Sequence, residues 1–210
     1  MQEIEAKFLV LDLPKIRRRL EELEARQIQE RVLETNLRFD LPDGSLRSEG
    51  RVLRLRQDST AHLTFKGASD SSQGVLSRTE IECTVDDFES AKSLLEALGY
   101  QTVFTYEKFR TTFELDEVYV MLDELPYGNF VEIEGDGIKA IDTIANKLNL
   151  ELNASIMASY SALFERVRRA LSLHFTELTF ANFAGSPVTP EHLQVKPADE
   201  THALETKKRD

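Results

Sequence analysis

Charged and apolar side chains alternate in eight short segments of this chain, and few folds accommodate that alternation. In the first segment, EIEAKF, Glu3, Glu5 and Lys7 are each separated by one apolar residue. Successive side chains of a β-strand point to opposite faces of the sheet. Each segment therefore predicts a strand with one apolar face and one face that is dense in carboxylate and basic groups.

The other seven segments follow along the chain, interrupted by stretches with helical spacing of apolar residues. The strand segments are NLRFD, VLRLR, HLTFKG, SRTEIEC, TYEKFRTTF, YVMLD and FVEIE. Strands that are mostly neighbours in sequence favour an antiparallel sheet. We predict an α+β fold in which about eight antiparallel strands close into a tunnel, with helices on the apolar outside and a charged lumen inside.

A solvated charged face is the simpler explanation for any one of these strands, because antiparallel sheets commonly have one wet face. Solvated strand faces usually mix Thr, Ser, Lys and Gln, whereas these faces are dense in Glu and Arg. Four predicted amphipathic helices are also available to cover the apolar face. The recurrence of the pattern therefore favours a lumen.

Composition excludes several classes of function. The formal net charge is −11, which argues against nucleic acid and anionic membrane surfaces as general partners. Cys83 is the single cysteine, so no internal disulfide forms, and this fits a reducing compartment. Neither a signal-peptide pattern nor an apolar run of membrane-spanning length is present. We expect a cytoplasmic protein without a membrane or DNA partner.

A lumen lined by both signs of charge suits one kind of ligand. Clustered carboxylates repel each other, and binding hard divalent cations relieves that repulsion. The guanidinium and ammonium groups then meet an anion, and Arg matches phosphate oxygens in particular. The charge inventory of these strand faces fits a triphosphate that carries one or two Mg²⁺ ions.

The ordered set of motifs resembles the CYTH superfamily, the triphosphate tunnel metalloenzymes. EIEAKF resembles the E-x-E-x-K signature of that family, and VLRLR, LTFKG, TEIE, YEKFR, LDELPYGNFVEIEG and SYSALF follow in the order of the family. The resemblance extends to about Glu165. It implies a tunnel domain over residues 1–170, followed by an extension over 171–210 that we expect to be partly docked and then flexible.

The resemblance also implies roles for residues. The metal-binding carboxylates are expected to be Glu3, Glu5, Glu80, Glu82, Asp123, Glu132 and Glu134. The triphosphate is expected to contact Lys7, Arg54, Arg56, Lys66, Lys108 and Arg110, to which strand parity adds Arg38 and Arg78. Glu5 and Lys7 are the catalytic candidates, since either a metal-shell carboxylate or a Lys7 whose pKa neighbouring cations lower is able to accept a proton from water.

Three functions are compatible with this set. The first is a metal-dependent triphosphatase that uses Mg²⁺ or Mn²⁺ and acts on tripolyphosphate, thiamine triphosphate, ATP or an RNA end. The second is a class IV adenylyl cyclase that converts ATP to cyclic AMP and pyrophosphate. The third is a non-catalytic polyphosphate or nucleotide binder, which would not need the full carboxylate set. The oligomeric state stays open, with a homodimer as one candidate.

Two other residues carry expectations about packing. Cys83 shares the parity of the apolar face, so we expect it to be buried under a helix and not to act as a nucleophile. Tyr160 in SYSALF is expected to anchor the last helix.

Overall fold

The computed structural model describes residues 2–72 and 75–200, without the side chains of residues 2, 3, 70–72 and 75. The chain begins with strand β1 (Gln2–Val10), which leads into helix α1 (Leu13–Glu22). The Asp12 carboxylate caps this helix by accepting a hydrogen bond from the Lys15 backbone nitrogen at 2.9 Å. The apolar stripe predicted for this helix is confirmed, because Ile16 and Leu20 are buried.

Eight further strands and five further helices follow within the described residues. They are β2 (Arg26–Asp40), α2 (Ser45–Ser48), β3 (Val52–Gln57), β4 (Ala61–Lys66), β5 (Asp70–Ser72), β6 (Val75–Val85), α3 (Phe88–Ala97), β7 (Gln101–Leu115), β8 (Val118–Leu125), β9 (Gly128–Glu134), α4 (Ile138–Lys147), α5 (Tyr160–Leu171) and α6 (Pro190–Leu193). A single 3₁₀ turn (Leu152–Ala154) lies between α4 and α5. None of the described helices is long and apolar enough to cross a membrane.

The strands form a closed antiparallel ring. Their order is β1-β9-β8-β7-β2-β3-β4-β6, and β6 pairs back with β1. The three-residue strand β5 pairs with β6 outside this circuit. The predicted α+β fold with an eight-stranded antiparallel tunnel is thus confirmed.

The ring is irregular at two places, where residues after α4 bond to strand backbones. Next to the short β1–β6 pairing, the Lys7 carbonyl accepts from the Ile156 nitrogen at 2.7 Å, and the Leu9 carbonyl accepts from the Ala198 nitrogen at 2.8 Å. On β7, Leu178 forms a parallel bridge with Tyr106. We call residues 172–199 the C-terminal strap, and this strap bonds to both β1 and β7.

Two apolar cores cover the outside of the ring. The larger packs α1 and α4 against the outward residues of β1, β7, β8 and β9, including Phe8, Val120 and Ile133. A smaller core places Leu95 of α3 against outward residues of β2 and β3. The expectation that Cys83 is buried is wrong: it is exposed on the outer face of β6, since α3 packs over β2 and β3 instead.

A third core lies on the inner side of the sheet. It joins Leu9 and Phe130 to α5 and the C-terminal strap. Leu9 and Phe130 have the same strand parity as Lys7 and Glu132, so their side chains point inward. This apolar packing fills one part of the lumen and leaves the charged part open.

Candidate active site

The interior of the ring contains a cavity of about 320 Å³, which we call the tunnel cavity. Strand parity brings charged side chains from most of the ring to its wall, as the alternating pattern predicted. The sequence-predicted residues that line it are Glu5, Lys7, Arg38, Arg54, Arg56, Lys66, Arg78, Glu80, Glu82, Lys108, Arg110, Glu132 and Glu134. Asp123 lies behind the wall, and the Glu3 side chain lies outside the described residues.

Asp123 holds two basic side chains in place. It is fully buried, and it accepts hydrogen bonds from Lys108 Nζ at 2.9 Å and from Arg110 Nε and Nη2 at 2.7 and 2.6 Å. The Tyr160 hydroxyl donates to the same carboxylate at 2.8 Å. Four donors therefore satisfy Asp123, which makes it an orienting group for the two cations in this arrangement.

Tyr160 has more contacts with the charged site than sequence reasoning expected. Besides its bond to Asp123, its ring lies 4.2 Å from Lys7 Nζ, within range of a cation–π contact. Burial, together with the nearby charges of Asp123 and Glu132, raises the pKa of its hydroxyl well above the usual value. Tyr160 is therefore a neutral donor to the site as well as part of the inner apolar core.

Lys7 lies among carboxylates and not among cations. Its Nζ is 3.2 Å from Glu132, whose other oxygen contacts Arg110. Burial on its own lowers the pKa of Lys7, but Glu132 and Glu5 outweigh it and raise that pKa above its ordinary value. The contacts of Lys7 in this arrangement therefore raise its pKa, which is the opposite of the lowering that neighbouring cations would cause.

Glu34 is a buried member of the site that sequence reasoning missed. Its side chain is 1% exposed and lies 3.5 Å from Lys108, 3.8 Å from Arg110 and 4.0 Å from Arg56. Burial favours the protonated acid, but these cations lower its pKa to about 2. The sequence signal for Glu34 was its strand parity. It lies four residues before Arg38 on the same strand, so both side chains point to the same face of the sheet.

Ion pairs also join three further acids of the wall, Glu5, Glu80 and Glu82, to basic neighbours. Thr64 donates to Glu82 at 2.7 Å and keeps that carboxylate close to two arginines. The pairs are Lys66–Glu80 at 2.8 Å, Arg78–Glu5 at 3.3 Å, Arg56–Glu82 at 3.6 Å and Arg54–Glu82 at 3.8 Å. Bases of the wall therefore compensate its carboxylates.

Arg38 is an exception on the same wall. Its guanidinium donates to the Ser161 hydroxyl at 2.7 Å and forms no ion pair with a described carboxylate. Burial and the charges of Arg47, Arg78 and Arg54 lower its pKa. This part of the wall therefore has an excess of positive charge.

The chemistry of the donor set suits a hard divalent cation. Glu5 faces Glu134 directly in the β1–β9 register, and Glu132 lies two residues away on β9. Facing carboxylates repel each other, and oxygen ligands of this kind are what Mg²⁺ and Mn²⁺ prefer. Among the side chains that the structure describes, no three acidic, histidine or cysteine groups already converge as a metal site. The donors fit the ion, while their present contacts include basic side chains.

Comparison with known proteins places this geometry in context. The sequence model of the CYTH domain matches residues 1–156. A proposed adenylate cyclase of Methanocaldococcus jannaschii is 27% identical over 149 residues, which are 70% of this chain and 82% of that protein.

Solved structures share the fold. The PH1012 protein of Pyrococcus horikoshii has a TM-score of 0.65 at 25% identity, and the match covers 75% of this chain and 96% of that one. A proposed adenylyl cyclase from Hippeastrum, described by its dominant triphosphatase activity, has a TM-score of 0.61 at 20% identity over 78% of this chain and 95% of that one.

Proposed function

The chain belongs to the CYTH domain family, and from that membership we propose that it hydrolyses a triphosphate in the tunnel cavity with the help of a divalent metal ion. The family includes adenylate cyclases and triphosphatases. Its tunnel enzymes bind triphosphates such as ATP and depend on a divalent metal, generally Mg²⁺ or Mn²⁺. We also propose residues 1–170 as the tunnel domain and 171–210 as an extension.

The observation that carries the proposal is that buried bases of the tunnel cavity contact carboxylates. A bound triphosphate is able to take the place of those carboxylates. Buried bases such as Lys7 and Lys108 contact carboxylates, and these contacts compensate charges that would otherwise be costly to bury. A triphosphate that displaces carboxylates from the bases leaves oxygen ligands available for divalent cations. Charge then stays balanced only if the anion and the metal bind together, which is the requirement of metal-assisted phosphoryl transfer.

The proposed roles follow from position. Lys7, Lys108 and Arg110 hold the phosphates, with Arg38, Arg54, Arg56, Lys66 and Arg78 further along the wall. Glu5, Glu132 and Glu134 hold the metal, with Glu80 and Glu82 in support and Glu3 proposed from its sequence position alone. When bound, Mg²⁺ or Mn²⁺ supplies neutralisation of phosphate charge.

Catalysis by the chain itself then rests on alignment and proton transfer. Asp123 fixes Lys108 and Arg110, so their charges are oriented before substrate arrives. Glu5 and Lys7 are the two proposed acceptors of the proton from the attacking water.

Adenylyl cyclase activity is the second candidate, because the Methanocaldococcus jannaschii relative is described as a proposed adenylate cyclase. The Hippeastrum protein favours hydrolysis, since a triphosphatase activity dominates in a protein of the same fold. Both reactions use the same bound triphosphate and differ in whether water or the ribose hydroxyl attacks.

Product identification separates these reactions. The purified protein is incubated with Mg²⁺ or Mn²⁺ and either tripolyphosphate or ATP, and the products are resolved by ion-exchange chromatography. We expect orthophosphate from tripolyphosphate. Cyclic AMP with pyrophosphate from ATP would instead establish the cyclase, and tight binding without turnover would establish a receptor.

Matched variants assign the activity to the cavity. Lys108→Met removes a buried ammonium but keeps side-chain volume, and we expect a loss of rate of about 100-fold or more. Lys139→Ala removes an exposed ammonium on α4 and leaves the rate unchanged. Circular dichroism of both variants checks that the loss is not unfolding, and equal rates in both would refute the assignment.

A further inference from the structure

A second cavity adjoins the tunnel cavity and has no role in the function proposed above. Its volume is about 610 Å³, and we call it the outer cavity. Arg38, Phe104, Ser159 and Ser161 line both cavities, so the two meet at this wall. The outer cavity is therefore placed to receive any part of a substrate that extends beyond the tunnel cavity.

The lining of the outer cavity is cationic. Four arginines contribute to it against two acids, Asp40 and Glu165; the arginines are Arg38, Arg47, Arg51 and Arg168. Arg168 pairs with Glu165 at 2.7 Å and Arg51 pairs with Glu49 at 2.5 Å, so the positive charges without a described carboxylate partner are those of Arg38 and Arg47. Asp40 is 4% exposed and accepts three backbone hydrogen bonds, from Leu41, Leu46 and Arg47 at 2.8, 2.9 and 3.1 Å. That carboxylate holds the loop before α2, so it does not compensate the arginines through an ion pair.

The guanidinium at the junction points to an anion. Arg38 is surrounded by the positive charges of Arg47, Arg54 and Arg78, and its recorded hydrogen bond is to a neutral hydroxyl. Gathering guanidinium groups in this way is unfavourable unless an anion lies between them. The phosphate groups of a substrate satisfy this requirement, because guanidinium forks pair with phosphate oxygens.

A nucleobase fits the same wall less well. Phe104 is the aromatic residue shared by the two cavities, and its ring already stacks on Tyr106 at 5.6 Å with an interplanar angle of 21°. Phe164 packs against it at 5.8 Å. A base that stacked on Phe104 would therefore share the ring with neighbours that already pack against it.

We propose that the outer cavity binds the phosphate groups beyond the third of a linear phosphoanhydride chain whose first three phosphates lie in the tunnel cavity. The inference rests on the proposed function, since it assumes that the tunnel cavity takes a triphosphate. It extends the proposed substrate class from tripolyphosphate to longer inorganic phosphate chains. Arg47 and Arg168 contact the additional phosphates, and Arg38 lies at the boundary between the two cavities.

Isothermal titration calorimetry with Ca²⁺ in place of Mg²⁺ or Mn²⁺ tests this inference, because Ca²⁺ also binds carboxylate oxygens and lets the anion and a metal bind together. Chromatography of the cell contents after each titration checks that the ligands are intact. The ligands are tripolyphosphate, tetrapolyphosphate, a long linear polyphosphate and ATP. We expect the longer chains to bind about tenfold or more tightly than tripolyphosphate, because charge-assisted hydrogen bonds are each worth about 1.5–3 kcal/mol, or roughly tenfold and upward in affinity. Added salt reduces this advantage by screening the exposed arginines.

The variants are the double Arg47→Ala/Arg168→Ala and, as control, Arg169→Ala, which removes the exposed neighbour of Arg168 on α5. In the double variant, we expect the longer chains and tripolyphosphate to bind with nearly equal affinity. In the control variant, we expect the ratio of these affinities to be that of the wild type. The inference is overturned if the wild type binds tripolyphosphate and the longer chains with equal affinity. It is also overturned if the longer chains still bind more tightly in the double variant.

The remaining outcomes separate this inference from the proposed function. ATP could instead bind more tightly than tripolyphosphate and lose that advantage in the double variant. This result would mean that the outer cavity holds a nucleoside, and it would overturn this inference but not the proposed function. Failure to bind tripolyphosphate in the wild type overturns both, whereas binding of tripolyphosphate without a chain-length effect leaves the proposed function standing.

Discussion

Substitution of Glu34 by Gln tests whether ion pairing between a buried carboxylate and the neighbouring basic side chains stabilises the fold. The side chain is 1% exposed and lies within 4.0 Å of Lys108, Arg110 and Arg56. Gln keeps the shape of the side chain but not its charge. The three cations then lose a shared counterion in a place that water does not reach.

The size of the effect follows from the pKa of Glu34, which falls from an ordinary 4.5 to about 2. Each pKa unit corresponds to about 1.4 kcal/mol, so the ionised carboxylate stabilises the folded state by about 3 kcal/mol. Because the folded-state pKa is the lower one, this stabilisation is complete above about pH 5, falls to about half by pH 3 and is lost below both pKa values.

Urea unfolding at a series of pH values measures the effect. The free energy of unfolding of Glu34→Gln should be about 3 kcal/mol below that of the wild type at pH 7, and the gap should narrow as the pH falls below 4.5. Glu30→Gln removes an exposed carboxylate of the same strand and serves as the control. A gap under about 0.5 kcal/mol at pH 7, or one independent of pH, would refute the electrostatic reasoning.

Other substitutions extend these expectations. Tyr160→Phe deletes the hydroxyl that donates to buried Asp123, and thermal unfolding should register a loss of about 1.5–3 kcal/mol. Leu163→Ala empties a fully buried site under α5 and should cost about 2–5 kcal/mol in urea unfolding. Lys147→Ala breaks an exposed ion pair with Asp116 and should change stability by under about 1 kcal/mol. Chelation of divalent metal should abolish phosphate release, and added Mg²⁺ or Mn²⁺ should restore it in the same assay.

The sequence predicts the ring because helix-capping residues and a glycine after a helix agree with the alternation of charged and apolar residues in the strands. Asp12 and Asp87 cap α1 and α3, and Gly99 follows α3 with a φ of +93°. Coverage of the outer face was harder to predict. Ile81 is 62% exposed and Cys83 is also exposed, since parity tells which face a residue takes but not whether a helix packs over it.

The charged wall is likewise predictable from parity. Glu34 has the parity of Arg38, and the register shifts at the start of β2 precede it, between Gln27 and Val32, so extending the segment NLRFD back by two residues finds it. The pKa of Lys7 depends on which charges stand across the cavity, which a one-dimensional pattern does not give. The outer cavity combines loop and helix residues distant in sequence, so no local motif indicates it.

The C-terminal strap ties two strands of the ring together in addition to the pairing of the sheet. Its Leu178 and Ala198 bond to β7 and β1, which are separated in the ring only by β8 and β9. The strap therefore spans four strands, and it lies beyond the residues that the CYTH domain matches. A change in the strap would alter the inner apolar packing beside the tunnel cavity while every ionisable residue on the strands stayed the same. Part of the packing that bounds the cavity thus comes from a segment separate in sequence from the strands that carry its charges.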